Sequence, residues 1–235
     1  MQAHRDGWRR IPQNPRMAFR SHPDSDAAAA WFAGEAGQAL LASEAGCVHA
    51  ALRQFPHWRG LWLGPSDVAL PEEAGLPAPL RLHPAGASAF TGDLRCELPL
   101  PLASECCALV VVQHAADMTI APEALLEECA RVLIPGGWLW MLAINPLSPW
   151  RLRWAGQGLR GREPVSWRRR LRAVGLVPEP VSQGLGPTWR TLAHAPLRPG
   201  VGLRPAYLLR SEKRSAPLTP VRKARAIGMP AGTHA

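Results

Sequence analysis

The chain has 235 residues, 47% of them hydrophobic, enough for one α/β domain with a buried core. No stretch reaches the roughly 18 to 20 uninterrupted apolar residues of a membrane span, because Gln113 and His114 break the best run and Pro135 to Gly137 break the next. The formal charge of +9 is unevenly placed: Ser21 to Trp150 holds 5 Arg, no Lys and 14 acids, and the flanks hold 22 basic residues against 4 acidic ones.

Basic flanks are the electrostatic footprint of polyanion binding, and nucleic acid is the partner they suggest for the Arg-rich C-terminal half. Only Lys213 and Lys223 are lysines, so a genome-wide Arg bias is the competing explanation. The first 20 residues carry Arg5, Arg9, Arg10, Arg16 and Arg20 without an apolar core ahead of a small-residue cleavage site. They do not read as a secretory signal, and a cytoplasmic protein is expected. The five cysteines form no C-x-x-C pair, which argues against zinc and against a disulfide framework. Buried or idle thiols are expected, with Cys106 and Cys107 on opposite faces of a strand.

Residues 1–26 are polar, Arg-rich and punctuated by Pro12, Pro15 and Pro23, and read as a poorly ordered arm. Asp26 is a candidate N-cap for a helix running from Ala27 to about Gln54, with Trp31, Ala36, Leu40, Leu41, Val48 and Leu52 on one face. Gly34, Gly37 and Gly46 weaken that pattern and allow two shorter helices. Arg59 to Leu63 reads as a short strand ending at the turn Gly64-Pro65-Ser66-Asp67, followed by a weakly patterned segment, Val68 to Leu76. Pro77 to His83 and Ser88 to Thr91 are two further short strands bounded by Gly or Pro.

Cys107 to Gln113, with Leu109-Val110-Val111-Val112 unbroken, has the pattern of a strand buried on both faces of a parallel sheet. Pro122 then opens a helix carrying Leu125, Leu126, Cys129, Ala130 and Leu133, which Pro135-Gly136-Gly137 stops. Trp138 to Ile144 is the next apolar run, so strand, helix and strand form a right-handed parallel crossover. A helix over Trp167 to Val174, a strand over Leu176 to Val181 and a last strand over Arg204 to Arg210 complete the domain, expected at 27–210. A basic, Pro-containing tail is expected over 211–235.

Two stretches point to a family: Leu98-Pro-Leu-Pro-Leu-Ala-Ser-Glu-Cys-Cys-Ala-Leu-Val-Val-Val-Gln-His114 and Leu125-Leu-Glu-Glu-Cys-Ala-Arg-Val-Leu-Ile-Pro-Gly-Gly-Trp138. They resemble the second half of a class I S-adenosylmethionine-dependent methyltransferase of the type 11 kind. Trp31-Phe32, Glu44, Asn145-Pro146, Tyr207-Leu-Leu-Arg-Ser-Glu-Lys-Arg214 and Pro217-Leu-Thr-Pro220 are similar to a small bacterial subgroup of such proteins, extending the likeness over about 27–222. The resemblance implies a Rossmann-like, doubly wound α/β fold. Its sheet would have seven mostly parallel strands, the last antiparallel, with S-adenosylmethionine over the carboxyl ends of the strands in the first half.

Such a cofactor needs backbone N–H groups in a glycine-rich turn after strand one, an acid after strand two and a polar group after strand three. Here the glycine turn reduces to Gly64-Pro65-Ser66-Asp67, in which Pro65 has no N–H. The segment His83-Pro84-Ala85-Gly86 offers no carboxylate, and the acid often found at the start of strand four is Ala108. Asp93 fits the post-strand-three position for the adenine, with the Leu94 N–H beside it. His114 falls just past strand four, at the edge where ligands gather in open sheets. Gly64, Asp93, Leu94 and His114 are therefore the candidate cofactor-binding residues.

Each has a plainer reading: a strand-ending turn for Gly64, a solvated turn acid for Asp93, and for His114 a ring with no visible partner to orient it as a base. Asn145-Pro146 reads as a turn. Arg168, Arg169, Arg170 and Arg172 cannot all face one side of their helix, and Trp138, Trp140, Trp150, Trp154 and Trp167 read as packing. Three functions stay open: transfer of a methyl group from S-adenosylmethionine to an unknown acceptor, the same transfer to nucleic acid, and a catalytically inactive methyltransferase-like protein that binds or scaffolds through its basic C-terminal half, with nucleic acid as one candidate target.

Overall fold

A computed structural model describes residues 23–65, 77–86, 88–187, 198–199 and 202–214. The helices are α1 (Pro23–Ala33), α2 (Glu35–Arg53), α3 (Ala115–Met118), α4 (Pro122–Val132), α5 (Arg151–Trp154) and α6 (Pro164–Ala173). The strands are β1 (Leu61–Leu63), β2 (Leu80–Pro84), β3 (Ala89–Gly92), β4 (Cys96–Glu97), β5 (Cys107–Gln113), β6 (Leu133–Ile144), β7 (Leu176–Pro178), β8 (Gln183–Leu185), β9 (Arg198–Pro199) and β10 (Ala206–Lys213).

One sheet runs β4-β3-β2-β1-β5-β6-β10-β8-β9, with β7 also paired to β10. Its centre, β2-β1-β5-β6, is parallel, and strands at both edges are antiparallel. This is the expected Rossmann-like α/β architecture, drawn among the described residues with ten strands rather than seven because both edges break into two- and three-residue pieces.

Alternation along the strands sorts the core into two layers. Val110, Val112, Met141 and Leu209 pack with Leu125, Leu126 and Cys129 of α4 and with Trp167 and Leu171 of α6. Leu109, Val111, Leu142 and Leu208 face the other way, onto Phe32 of α1 and Leu40, Leu41 and Val48 of α2. Trp140, Trp154 and Trp167 are buried and Trp138 and Trp150 half-buried, as packing residues should be.

Several boundaries differ from the sequence reading. The first helix starts at Pro23, so Asp26 lies inside it, and the helical stretch breaks at Gly34. A Cβ on Gly37 would lie 2.4 Å from the Phe32 Cα, so this glycine permits α1 and α2 to meet. The strand after α4 begins at Leu133, ahead of Pro135. It passes the bend because a Cβ at Gly137 would come within 3.0 Å of the Ala108 carbonyl, an approach only glycine allows. Strand β10 continues to Lys213, taking Ser211 to Lys213 out of the expected tail. The arm up to residue 22, Val68 to Leu76 and the tail beyond residue 214 lie outside the described residues.

The largest correction concerns the third strand. Residues Ala89–Gly92 return antiparallel along β2, with Leu82 opposite Gly92 and Pro84 opposite Phe90, where a parallel third strand would need a crossover. The chain turns directly at Ala85, whose N–H donates to the Ala89 carbonyl at 2.9 Å, leaving no crossover helix. Cys106 and Cys107 are also not on opposite faces: Cys106 precedes β5, and their sulfurs are 3.7 Å apart. Their contact holds the half-buried Cys106 thiol below its ordinary pKa, and contact and burial together push Cys107 up.

The Leu98 to Ser104 loop is fastened by the acid and arginine of α4. Arg131 donates to both Glu128 carboxylate oxygens, at 2.8 and 2.7 Å, and to the carbonyls of Leu100 at 2.9 Å and Leu102 at 2.8 Å. Glu128 in turn accepts the Leu100 N–H at 2.7 Å. The E-x-x-R spacing and the Leu-Pro loop are thus two halves of one brace, which fixes where β5 starts.

Candidate functional site

Parallel strands β1 and β5 end side by side, at Gly64 and at Gln113–His114. In an open α/β sheet this carboxyl edge gathers ligands. The polar residues here have closed on one another. Trp62 Nε1–H donates to Gln113 Oε1 at 3.1 Å, and Gln113 Nε2–H donates to Glu44 Oε2 at 2.8 Å. His114 Nε2 lies 3.0 Å from both Glu44 oxygens, and Nδ1 lies 3.2 Å from Asp117 Oδ2. That same Asp117 oxygen accepts the Ile144 N–H at 2.9 Å. The Phe32 ring stacks on the imidazole with centroids 4.9 Å apart.

Glu44, His114 and Asp117 are each 0% exposed. Burial alone would lower the His114 pKa. The Glu44 carboxylate and the Asp117 hydrogen bond outweigh it, and His114 is pushed up to about 9. Burial raises Asp117. At neutral pH the ring is therefore an imidazolium that donates from both nitrogens. A proton acceptor needs a vacant nitrogen, so in this arrangement His114 is a brace between α2, α3 and β6. Its backbone, at φ 56°, is in the left-handed region, held by an N–H bond to the Leu142 carbonyl at 2.9 Å.

Gly64 is the other half of the edge. A Cβ there would lie 2.3 Å from Cζ2 and 2.5 Å from Cη2 of Trp62, so the indole covers the glycine. Two residues apart on a strand, they share one face. The Gly64 N–H is spent on the Leu82 carbonyl at 2.9 Å, and Pro65 has none.

Asp93 and Leu94 lie elsewhere. Because β3 returns antiparallel, Asp93 reaches the amino end of β2, where its Oδ2 accepts the Arg81 N–H at 2.8 Å and its Oδ1 lies 3.4 Å from the Arg81 guanidinium. The structure thus brings Gly64 and His114 to one edge and Asp93 and Leu94 to the opposite end of β2.

Sequence reasoning assigned no site role to Glu44, Trp62, Gln113 or Asp117. A signal existed in Glu44, a carboxylate on the buried face of α2 among Leu40, Leu41, Cys47 and Val48. A carboxylate on such a face needs a buried partner. Asn145 acts as a turn, its amide donating to the Gly202 and Arg204 carbonyls. Two of the four arginines of α6 are engaged within the fold, Arg168 on the Glu179 carbonyl and Ser182 and Arg170 on Glu123, and Arg169 and Arg172 are exposed. Their spread around the helix leaves no phosphate clamp.

Comparison with known proteins agrees with the fold. A family model described as a methyltransferase domain matches residues 81–141. No curated protein matches the chain. Among solved structures, an S-adenosylmethionine-dependent methyltransferase of Thermotoga maritima, described as a possible histamine N-methyltransferase, is 18% identical. The match covers 75% of this chain and 91% of that one, with a TM-score of 0.54. Another is from the complex between the Trm112 methyltransferase activator of Haloferax volcanii and a provisionally named methyltransferase. It is 13% identical over 84% of this chain and 100% of that one, with a TM-score of 0.49. Residues 81–141 thus match a methyltransferase-domain model, and the fold is the Rossmann-like one of the Thermotoga maritima methyltransferase.

Proposed function

We propose that the chain is an S-adenosylmethionine-dependent methyltransferase with an acceptor still to be identified, its donor edge at Gly64 and His114. The observation that carries this reading is the methyltransferase-domain match over residues 81–141, a segment that contains β5, whose end carries His114, and that ends within β6; β1 and Gly64 lie ahead of it. Methyl transfer is an in-line displacement at a sulfonium, so positioning supplies most of the acceleration and no general base is required.

As arranged, the edge does not fit the donor. Trp62 covers Gly64, His114 is sealed, the turn has no spare N–H at Gly64 or Pro65, and β2 runs into its hairpin without a carboxylate. Donor binding therefore requires Trp62 to leave Gly64. That same contact favours a second reading, a methyltransferase-like protein that has filled its donor site with its own side chains and acts by binding.

Calorimetric titration with S-adenosylmethionine and with S-adenosylhomocysteine separates the two. The enzyme reading expects micromolar binding accompanied by a tryptophan fluorescence change that Trp62→Phe removes. No binding at millimolar cofactor by folded protein overturns it in favour of the second. Asp93→Ala tests the adenine contact proposed for Asp93 and Leu94, and retained binding removes them from the site.

A further inference from the structure

At the carboxyl edge, beyond β6, the fold holds three leucines out in solvent: Leu152 at 88%, Leu203 at 70% and Leu147 at 68% exposure. They belong to one small platform. Ser148 Oγ–H donates to the Leu203 carbonyl at 2.9 Å, joining the turn that leaves β6 to the turn that enters β10. The Asn145 amide donates to the carbonyls on either side of Leu203, Gly202 at 3.1 Å and Arg204 at 2.9 Å. Leu152 follows on α5, whose Arg151 N–H is tied to the Ser148 carbonyl at 2.9 Å. The platform is pinned to α1 by Trp31, whose Nε1–H donates to the Arg153 carbonyl at 2.7 Å.

The chain segment that carries Leu147 and Leu152 has charge of one sign. From Leu147 to Arg162 the sequence LSPWRLRWAGQGLRGR contains four arginines and no acid. Arg151 and Arg153 flank Leu152 and are exposed, and the Arg153 guanidinium lies 4.4 Å from the centroid of the half-buried Trp150 ring. Aliphatic side chains projecting from a braced turn, with a half-buried indole and arginines at their base, match the layering of a lipid surface. The leucines reach the acyl boundary, the indole and arginine stems sit at headgroup depth, and the guanidinium groups meet phosphates. Nucleic acid would ask for stacking aromatics in place of isolated leucines. No described helix is long and apolar enough to cross a membrane, so contact would be peripheral.

We propose that the platform formed by Leu147, Leu152 and Leu203, flanked by Arg151 and Arg153, docks the protein on an anionic phospholipid bilayer. The surface stands whether or not the donor edge is catalytic. Because the turns are already braced, docking orders little new chain.

Co-sedimentation of the full chain with vesicles of phosphatidylcholine alone, and of phosphatidylcholine with phosphatidylglycerol, tests it. Binding is expected to the second and not the first. Leu152→Ser should weaken it about tenfold, as expected for withdrawing one buried leucine. Arg151→Ala should weaken it about fivefold. Both side chains are exposed, so thermal unfolding should stay unchanged, which separates lost docking from lost folding. Absence of binding to anionic vesicles overturns the proposal. So does binding that responds to salt but not to Leu152→Ser, since that would place attachment on the basic flanks. Tight binding to polyuridylate without vesicle binding assigns the surface to nucleic acid and also overturns it.

Discussion

The indole of Trp62 lies so close to Gly64 that a Cβ added there would sit 2.3 Å from its Cζ2 atom. A glycine placed for close approach is met by a side chain two positions earlier on the same strand. This contact decides which elements of a methyltransferase-type edge remain available.

Gly64→Ala should destabilise the protein by about 1 to 3 kcal/mol, the usual range for overpacking a filled core, because the Trp62 ring cannot retreat without breaking its bond to Gln113. Chemical denaturation measures it. In a double-mutant cycle, Trp62→Leu should relieve much of the penalty. A cost unchanged by Trp62→Leu would show that the glycine serves something other than the indole.

Stability should fall as pH rises from about 6.5 to about 9. The His114 pKa is raised from its ordinary 6.5 to about 9, so the folded state holds the proton more tightly than the unfolded chain. The stabilisation is complete below about 6.5 and lost through about 9, and a shift of this size corresponds to roughly 3 kcal/mol. Asp117, also raised, acts in the same sense from the ordinary carboxylate range upward. Glu44→Gln should flatten the slope and cost about 3 kcal/mol near neutral pH, since it removes one partner of a buried pair. A slope that Glu44→Gln leaves unchanged would assign the titration to another group.

Arg131→Lys keeps the charge and loses the fork that spans Glu128, Leu100 and Leu102. It should cost about 1 to 3 kcal/mol by leaving loop carbonyls without a donor. Amide hydrogen exchange should show the Leu100 N–H losing protection ahead of the β5 amides. Uniform loss across both would mean that the brace supports the whole domain rather than the loop.

Much of the fold was legible where one local pattern dominated. The run of Leu109 to Val112 could be buried on both faces only in a central parallel strand, and Pro122 with the apolar spacing of α4 marked a helix start. The edge strands were less legible, because two- and three-residue segments carry almost no periodicity. The antiparallel return of β3 follows β2 within a few residues, and the sequence between them has no strong turn dipeptide. Of the site residues, His114 was visible from its place after a recognisable strand. Its partners were not, because Glu44 lies 70 residues away and the pairing exists only once α2 folds over the sheet. Trp62 lay in a strand of three apolar residues, and nothing in its composition says which face an indole takes.

Strand β10 is inserted between β6 on one side and β7 and β8 on the other, pairing with β6 over seven residues. Those flanking strands are all made earlier in translation than β10. Until Ala206 to Lys213 has been made, β6 therefore presents an open hydrogen-bonding edge, and this side of the sheet closes only once β10 is available. A ribosome paused before Ala206 would hold a chain whose parallel half is able to fold and whose β6 edge is open to other strands, the circumstance in which chaperone capture and misassembly occur.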